Sequence, residues 1–265
     1  MNIGIIGSGN MASALASGLI KSGVVRADEI SISDKLSQNL VKWEKTGVFT
    51  TEDNNEVYKN SEIVIFAVKP NIMPIVLKEA ALFSEGRLFV SIAAGVTLEN
   101  LGLVLGEEAK VVRAMPNTPA QVGCGMTVIS PNKNVTETEL DLVRNVLSGV
   151  GEVIILDEKY INAATALHGS SPAYVYMLID AMADSGVRHG IPKEISLKLA
   201  AKAVEGSARM VIETGKHPQE LKDNVCSPGG TTIAAVCELE KKGFSSSIQS
   251  AIEKCIEKAD KMSKE

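Results

Sequence analysis

Two glycine-rich turns, far apart in the chain, hold the residues best suited to chemistry. The first is Gly7-Ser8-Gly9-Asn10-Met11-Ala12, placed after the apolar run Ile3–Ile6 and before an amphipathic stretch. Gly7 permits a tight turn, and Gly9 lets the backbone approach a pyrophosphate. Ala12 stands where a third glycine is usual, small enough for a helix to pack on its strand. Phosphates would meet free backbone N–H groups at the positive end of that helix. The pattern is weak alone, but strand–turn–helix context makes it a dinucleotide signature. The second turn, Ser227-Pro228-Gly229-Gly230-Thr231-Thr232, also opens a helical stretch. It offers unhindered N–H groups suited to an anion. Thr232 is either a donor to a ligand or a cap on its own helix.

Fewer signals surround the turns. The second strand ends near Ser33, where an acidic side chain favours the ribose of NAD and a basic one the 2′-phosphate of NADP. Asp34 and Lys35 supply both, so these residues leave the cofactor open. Lys69 suits either a cofactor ribose or a strand end. His168 has the right chemistry for proton transfer near neutrality, but its place in an apolar stretch favours a packed side chain; His189 and His217 fall in interhelix loops. Cys124, Cys226, Cys237 and Cys255 form no CxxC pair and have no nearby His in ligand spacing. Reduced thiols and no metal site are expected.

The 265 residues, 45% hydrophobic and 22% charged, suit an ordinary globular chain. A net charge of −5 gives no basic footprint for nucleic acid. No apolar run approaches the ~20 residues needed to span a bilayer. The opening Met1–Ile6 reads as a strand and lacks the charged start of a signal peptide, so a cytoplasmic location is expected.

Short apolar runs at 3–6, 29–33, 63–68, 88–92, 110–114, 126–130 and 151–156 predict strands. Amphipathic stretches at 11–21, 36–45, 71–83 and 137–148 predict helices between them. Such alternation points to an α/β fold, a mostly parallel, doubly wound sheet of Rossmann type over residues 1–157. From 158 to 265 the pattern becomes all-α, with helices predicted at 160–186, 192–214, 231–241 and 244–261. The first two are apolar almost all round, and such a helix must be buried on every side. A second copy of the chain is therefore expected to cover them in an obligate homodimer.

Three further segments carry a family resemblance: Ala67-Val68-Lys69-Pro70, Met115-Pro116-Asn117-Thr118-Pro119, and Asp223-Asn224-Val225-Cys226 running into the second glycine turn. With Gly169-Ser170-Ser171-Pro172-Ala173-Tyr174, the chain resembles pyrroline-5-carboxylate reductases from residue 1 to about 262. The second turn is the most specific of these segments. The resemblance implies a Rossmann domain, a helical domain interlocked with a partner, and dimers that often assemble into larger rings. It implies NADP(H), with NAD(H) as the alternative, and the last step of proline biosynthesis. Gly7, Ser8, Gly9, Asn10 and Met11 would hold the pyrophosphate. Asp34, Lys35 and Asn54, the last placed in a loop, would meet the adenosine end. Ala67, Val68, Lys69, Pro70, Ala93 and Ala94 would line the nicotinamide side. Glu158, Asn224, Ser227, Gly229, Gly230, Thr231 and Thr232 would form the pocket for pyrroline carboxylate. His168, Ser171 and Cys226 depart from the usual family pattern.

The substrate so implied is a cyclic imine bearing a carboxylate. Its reduction needs hydride at C5 and a proton on nitrogen. The glycine turn at 227–232 would hold the carboxylate, and Thr232 would donate to the ring nitrogen, while solvent could supply the proton. The alternative is a related Rossmann reductase acting on another imine or small carboxylate substrate, including a 2-hydroxy acid. The hydroxy-acid version commonly has a lysine inside the first helix of the helical domain, which is absent here. A dinucleotide sensor without turnover would have no need of the second turn.

Overall fold

The computed structural model describes residues 1–263. The first half is an eight-stranded sheet: β1 (Ile3–Ile6), β2 (Ile30–Ser33), β3 (Phe49–Thr51), β4 (Ile63–Phe66), β5 (Leu88–Ser91), β6 (Lys110–Met115), β7 (Gly125–Pro131) and β8 (Gly151–Ile155). Their order is β3-β2-β1-β4-β5-β6-β7-β8, and every neighbouring pair is parallel except β6 with β7. The reversal between β1 and β4 opens a crevice at the carboxyl edge, where ligands of such folds bind.

Both faces of the sheet are covered, and strand alternation sorts the residues. Ile63 and Ile65 of β4 join one core with Ile3, Ile5, α1 (Asn10–Ser22) and α5 (Glu137–Ser148). Val64 and Phe66 join the other, with α2 (Asn54–Asn60), α3 (Met73–Ala81) and α4 (Leu98–Leu105). A strand buried on both faces reads as a continuous apolar run, which is why β1, β4 and β5 are plain in the sequence. Caps set the helix starts: Asp53 accepts from Asn55 N, Thr97 from Asn100 N, and Thr136 with Glu139 forms a capping box.

Several elements differ from the sequence expectation. β3, α2 and α4 were not anticipated: β3 has three residues, α2 is polar, and α4 is apolar with Gly102 inside. Residues 36–45, expected as a helix, form two tight 3-10 turns at 37–39 and 41–43. The Asn39 carbonyl, which an α-helix would pair with Trp43 N, instead accepts from Ser8 Oγ at 3.0 Å. The Trp43 amide turns to Leu40. A tertiary hydrogen bond thus outcompetes the local ladder.

The stretch expected as one helix from 160 divides into α6 (Ile161–Ala164), a π segment (Thr165–Gly169) and α7 (Ser171–Arg188). Thr165 Oγ1 donates to Ile161 O at 2.7 Å, and His168 Nδ1 lies 2.6 Å from Ala164 O. Within the segment Ser170 N reaches back five residues to Thr165 O, the π pattern. After α7 come α8 (Lys193–Thr214), α9 (Pro218–Val225), α10 (Thr231–Lys241) and α11 (Phe244–Met262). The polar α9 was another unanticipated element.

Chain type changes at 158, but packing changes later. One compact unit holds residues 1–170 and 255–263, and the other residues 171–254. Residues 158–170 stay with the sheet because Ile161 and Ala164 pack on Met115 and Val128. In the second unit, α7 and α8 leave Tyr176, Met177, Met182, Ile195, Leu199, Met210 and Ile212 exposed in the single chain. Apolar surface on this scale is the expected counterpart of a partner. Sedimentation velocity at micromolar protein should give a dimer, and Leu199→Glu in α8 should weaken association at least tenfold, as roughly expected for a charge placed in an apolar contact. A folded wild-type monomer as the sole species would contradict the covered-helix reading.

Candidate active site

The carboxyl edge of β1, β2, β4 and β5 gathers the residues expected to meet a dinucleotide. Gly7 has φ +99°, a conformation glycine alone adopts easily, and a Cβ there would lie 2.8 Å from Ala67 O. Its N–H donates to Ser33 O at 2.7 Å, and Ala67 N donates to Ile6 O at 2.9 Å. The first turn is thereby stitched to the ends of β2 and β4. Gly9 faces open space, where an added Cβ would touch nothing within 4 Å. It precedes α1, whose first turn has no acidic residue. Asn10 is exposed and Met11 half-buried beside it. Ile92 N bonds Phe66 O, which brings the following Ala93 and Ala94 next to the end of β4. Val68, Lys69 and Pro70 turn away into α3, with Lys69 exposed.

Asp34 is heavily engaged. One carboxylate oxygen accepts from Ser8 N at 2.8 Å, and the other from Leu36 N at 2.9 Å and Asn39 Nδ2 at 3.2 Å. Lys35 reaches the Glu52 carbonyl at 3.1 Å. Asn54 is no loop residue: it is the buried first residue of α2, accepting from Ser33 Oγ at 2.7 Å and donating to Glu79 at 2.7 Å. Its amide braces the end of β2. On the same side, burial, with a lesser contribution from Glu79, raises the Tyr58 hydroxyl far above its ordinary value, keeping it a neutral donor to Val76 O.

The second glycine turn lies in the other compact unit and is described by itself. Gly229 has φ +69°, and a Cβ on Gly230 would fall 2.3 Å from Ser227 Oγ. Gly230 closes the turn by donating to Ser227 O at 3.0 Å and stands at the N-cap of α10 with no side-chain cap. The leading N–H groups of α10 therefore have neither an intrahelical acceptor nor a cap. Thr231 is exposed, Thr232 half-buried, and Asn224, Ser227 and Gly229 exposed in the single chain.

Residues 158–262 match the family model for pyrroline-5-carboxylate reductase dimerisation. Residues 2–95 match the model described as NADP oxidoreductase, coenzyme F420-dependent. A pyrroline-5-carboxylate reductase of Escherichia coli K12 is 47% identical over 264 residues, covering 99% of this chain and 98% of that protein. The chain belongs to the pyrroline-5-carboxylate reductase family. The enzyme of that name from Pisum sativum is 40% identical, covering 94% of this chain and 92% of its own. A Plasmodium falciparum pyrroline carboxylate reductase structure with NADP bound has a TM-score of 0.91 at 33% identity, over 99% of this chain and 98% of that one.

Glu158, which the family resemblance assigns to substrate, has one carboxylate oxygen on internal partners. Glu158 Oε1 accepts from Leu98 N at 2.7 Å and from Arg113 Nη1 at 3.0 Å. Arg113 is only 2% exposed; its Nη2 donates to Asn162 Oδ1 at 3.2 Å, while its Nε finds no acceptor. Asn162 in turn donates to Asp260 and Ser263 at the end of α11. Sequence reasoning missed Arg113, although a lone charge inside the apolar Val111–Met115 run was a signal for a buried ion pair. His168, suspected as a packed residue, is one: its ring spans Ala164 O and Met115 O. His217 caps α9 through Gln219 N. Among the described residues there is no metal-holding group of side chains and no helix long and apolar enough to cross a membrane.

Removing one member of a buried pair leaves the other uncompensated. Glu158→Ala should lower unfolding free energy by about 2 kcal/mol, less than for a wholly buried pair because Glu158 retains some exposure. Arg113→Met in the same protein should recover part of that loss. Urea denaturation followed by circular dichroism would measure both, and an unchanged midpoint in the single variant would dismiss the ion pair as a stabilising contact.

Proposed function

We infer that this protein reduces the cyclic imine 1-pyrroline-5-carboxylate to proline with NADP(H), as the final step of proline biosynthesis. The 47% identity to a named reductase across nearly the whole chain, including both glycine turns, carries this reading. The first turn fits a dinucleotide: open space at Gly9, a required glycine at 7, and no acidic residue in the first turn of α1. When bound, the nicotinamide cofactor supplies the hydride. The three donors already on Asp34 leave its carboxylate little capacity for a ribose 2′-hydroxyl, which favours NADP(H) over NAD(H).

The residues we assign to the cofactor are Gly7 to Met11, Asp34, Lys35, Asn54, Ala67 to Pro70, Ala93 and Ala94. In that scheme Asp34 and Asn54 hold the edge in shape, and backbone N–H groups of the turn take the phosphates. Substrate is assigned to Asn224, Ser227, Gly229, Gly230, Thr231 and Thr232. The free N–H groups heading α10 receive its carboxylate and fix the ring. Solvent delivers the proton that makes the imine a better hydride acceptor, and Thr232 donates to the ring nitrogen as hydride transfer gives it the lone pair of the amine. Glu158, which the family resemblance also assigns to substrate, holds Leu98 N and Arg113 through one carboxylate oxygen.

The dimerisation model over 158–262 and the exposed apolar faces of α7 and α8 support a homodimer. We take residues 1–157 as the nucleotide domain and 158–265 as the helical dimerisation and substrate domain. A larger ring of dimers is proposed on the family resemblance, and a cytoplasmic location on the free cysteines.

Purified protein given pyrroline-5-carboxylate should oxidise NADPH, with NADH the poorer cofactor. Thr232→Ala should lower kcat/KM by roughly tenfold, the order expected for one lost hydrogen bond to a developing amine, with the dimer intact. Absence of substrate-dependent absorbance loss at 340 nm, the absorption band of a reduced nicotinamide, would sink the reading for both cofactors. Wild-type kinetics in the variant would release Thr232 from its role.

A further inference from the structure

Lys42 is not used by any of the assignments above, yet it stands on the first glycine turn. Its ammonium lies 2.8 Å from Ser8 O and 2.5 Å from Ser13 Oγ, so it brackets the exposed Gly9. Its recorded partners are both neutral oxygens, and the Trp43 ring lies 5.7 Å away. The first turn of α1 contains no acidic residue. A cation here sits beside the positive end of a helix dipole, with the Asp34 carboxylate on Ser8 N of the same turn, and a phosphate reaching α1 would meet both the ammonium and the dipole.

The fold nevertheless holds it there. Trp43 is buried and donates from Nε1 to Ser8 Oγ at 3.0 Å, and that hydroxyl donates in turn to Asn39 O. These bonds break the helix expected over 36–45 and tie the segment bearing Lys42 to the turn. We propose that Lys42 is a phosphate ligand of the dinucleotide, a cation fastened to the glycine turn through Trp43 and Asn39. The ligand chemistry is a phosphate group, either the pyrophosphate or the ribose 2′-phosphate. The inference rests on the dinucleotide reading of the turn and extends it to a residue outside the motif.

The test uses the full-length protein with Lys42→Gln and Lys42→Arg, circular dichroism serving to check the fold. Dissociation constants for NADP+ and NAD+ come from quenching of Trp43, the single tryptophan of the chain, with calorimetry as a second measure. KM values for NADPH and NADH come from turnover. Lys42→Gln should weaken binding on the order of tenfold, as for a lost charge-assisted hydrogen bond, and Lys42→Arg should restore most of it. Equal loss for both cofactors assigns the ammonium to the pyrophosphate; loss confined to NADP+ and NADPH assigns it to the 2′-phosphate. Unchanged constants in Lys42→Gln overturn the proposal while leaving the dinucleotide reading intact. If wild type binds NADP+ without turning over pyrroline-5-carboxylate, the proposed reaction fails and the binding constants still judge Lys42. If wild type binds neither cofactor, the proposal falls with the dinucleotide reading.

Discussion

The nucleotide half depends on the missing side chain at residue 7. A Cβ there would press into the Ala67 carbonyl, and its positive φ resists any other residue. Because Gly7 fits, β1 can end between β2 and β4 and hand the chain to α1 without a gap. Three separate segments then meet at one edge: the 7–12 turn, the Asp34 corner and the 67–70 turn. Ser8 links them further, its amide on Asp34 and its hydroxyl between Trp43 and Asn39. A hydroxyl that both accepts and donates serves here as a knot that alanine would not reproduce.

The second glycine turn solves a similar problem with different geometry. Gly229 takes the left-handed conformation, and Gly230 yields room to the Ser227 hydroxyl. In both turns the main chain presents donors of its own, and at the first the ammonium of Lys42 stands beside them. Backbone donors are held by the fold, so they need little reordering when a ligand arrives, and they bring no counter-charge of their own. The family's chemistry, transfer of hydride to a small charged ring, suits such fixed surroundings.

Elements whose pattern arises from burial on both faces of the sheet were legible in the sequence. β1 and β4 are apolar runs and β5 is one up to Ser91, and α5 carries both its capping box and its stripe. The elements that escaped had another origin. β3 is too short to establish a period, and α2 owes its position to Asp53 capping and to Val57 and Tyr58 in an otherwise polar segment. At 36–45 a helical pattern was overridden by Ser8, which bonds residues 31 and 35 positions later in sequence. The motif residues were legible because glycine and proline act locally. Arg113, Asn162 and Lys42 were not, since their partners come from distant segments that only the fold assembles.

The bond from Asn162 to Asp260 spans 98 residues and that to Ser263 spans 101. Both ends lie in the compact unit that contains the sheet, yet the whole of the other unit is encoded between them. On a ribosome adding roughly 5–20 residues per second, about 5–20 s separate synthesis of Asn162 from that of its partners. During that interval Arg113 and Glu158 can already be paired, while the amide of Asn162 still awaits its acceptors. The sheet unit is thus begun first and sealed last, and birth order along the chain differs from the order of neighbours in space.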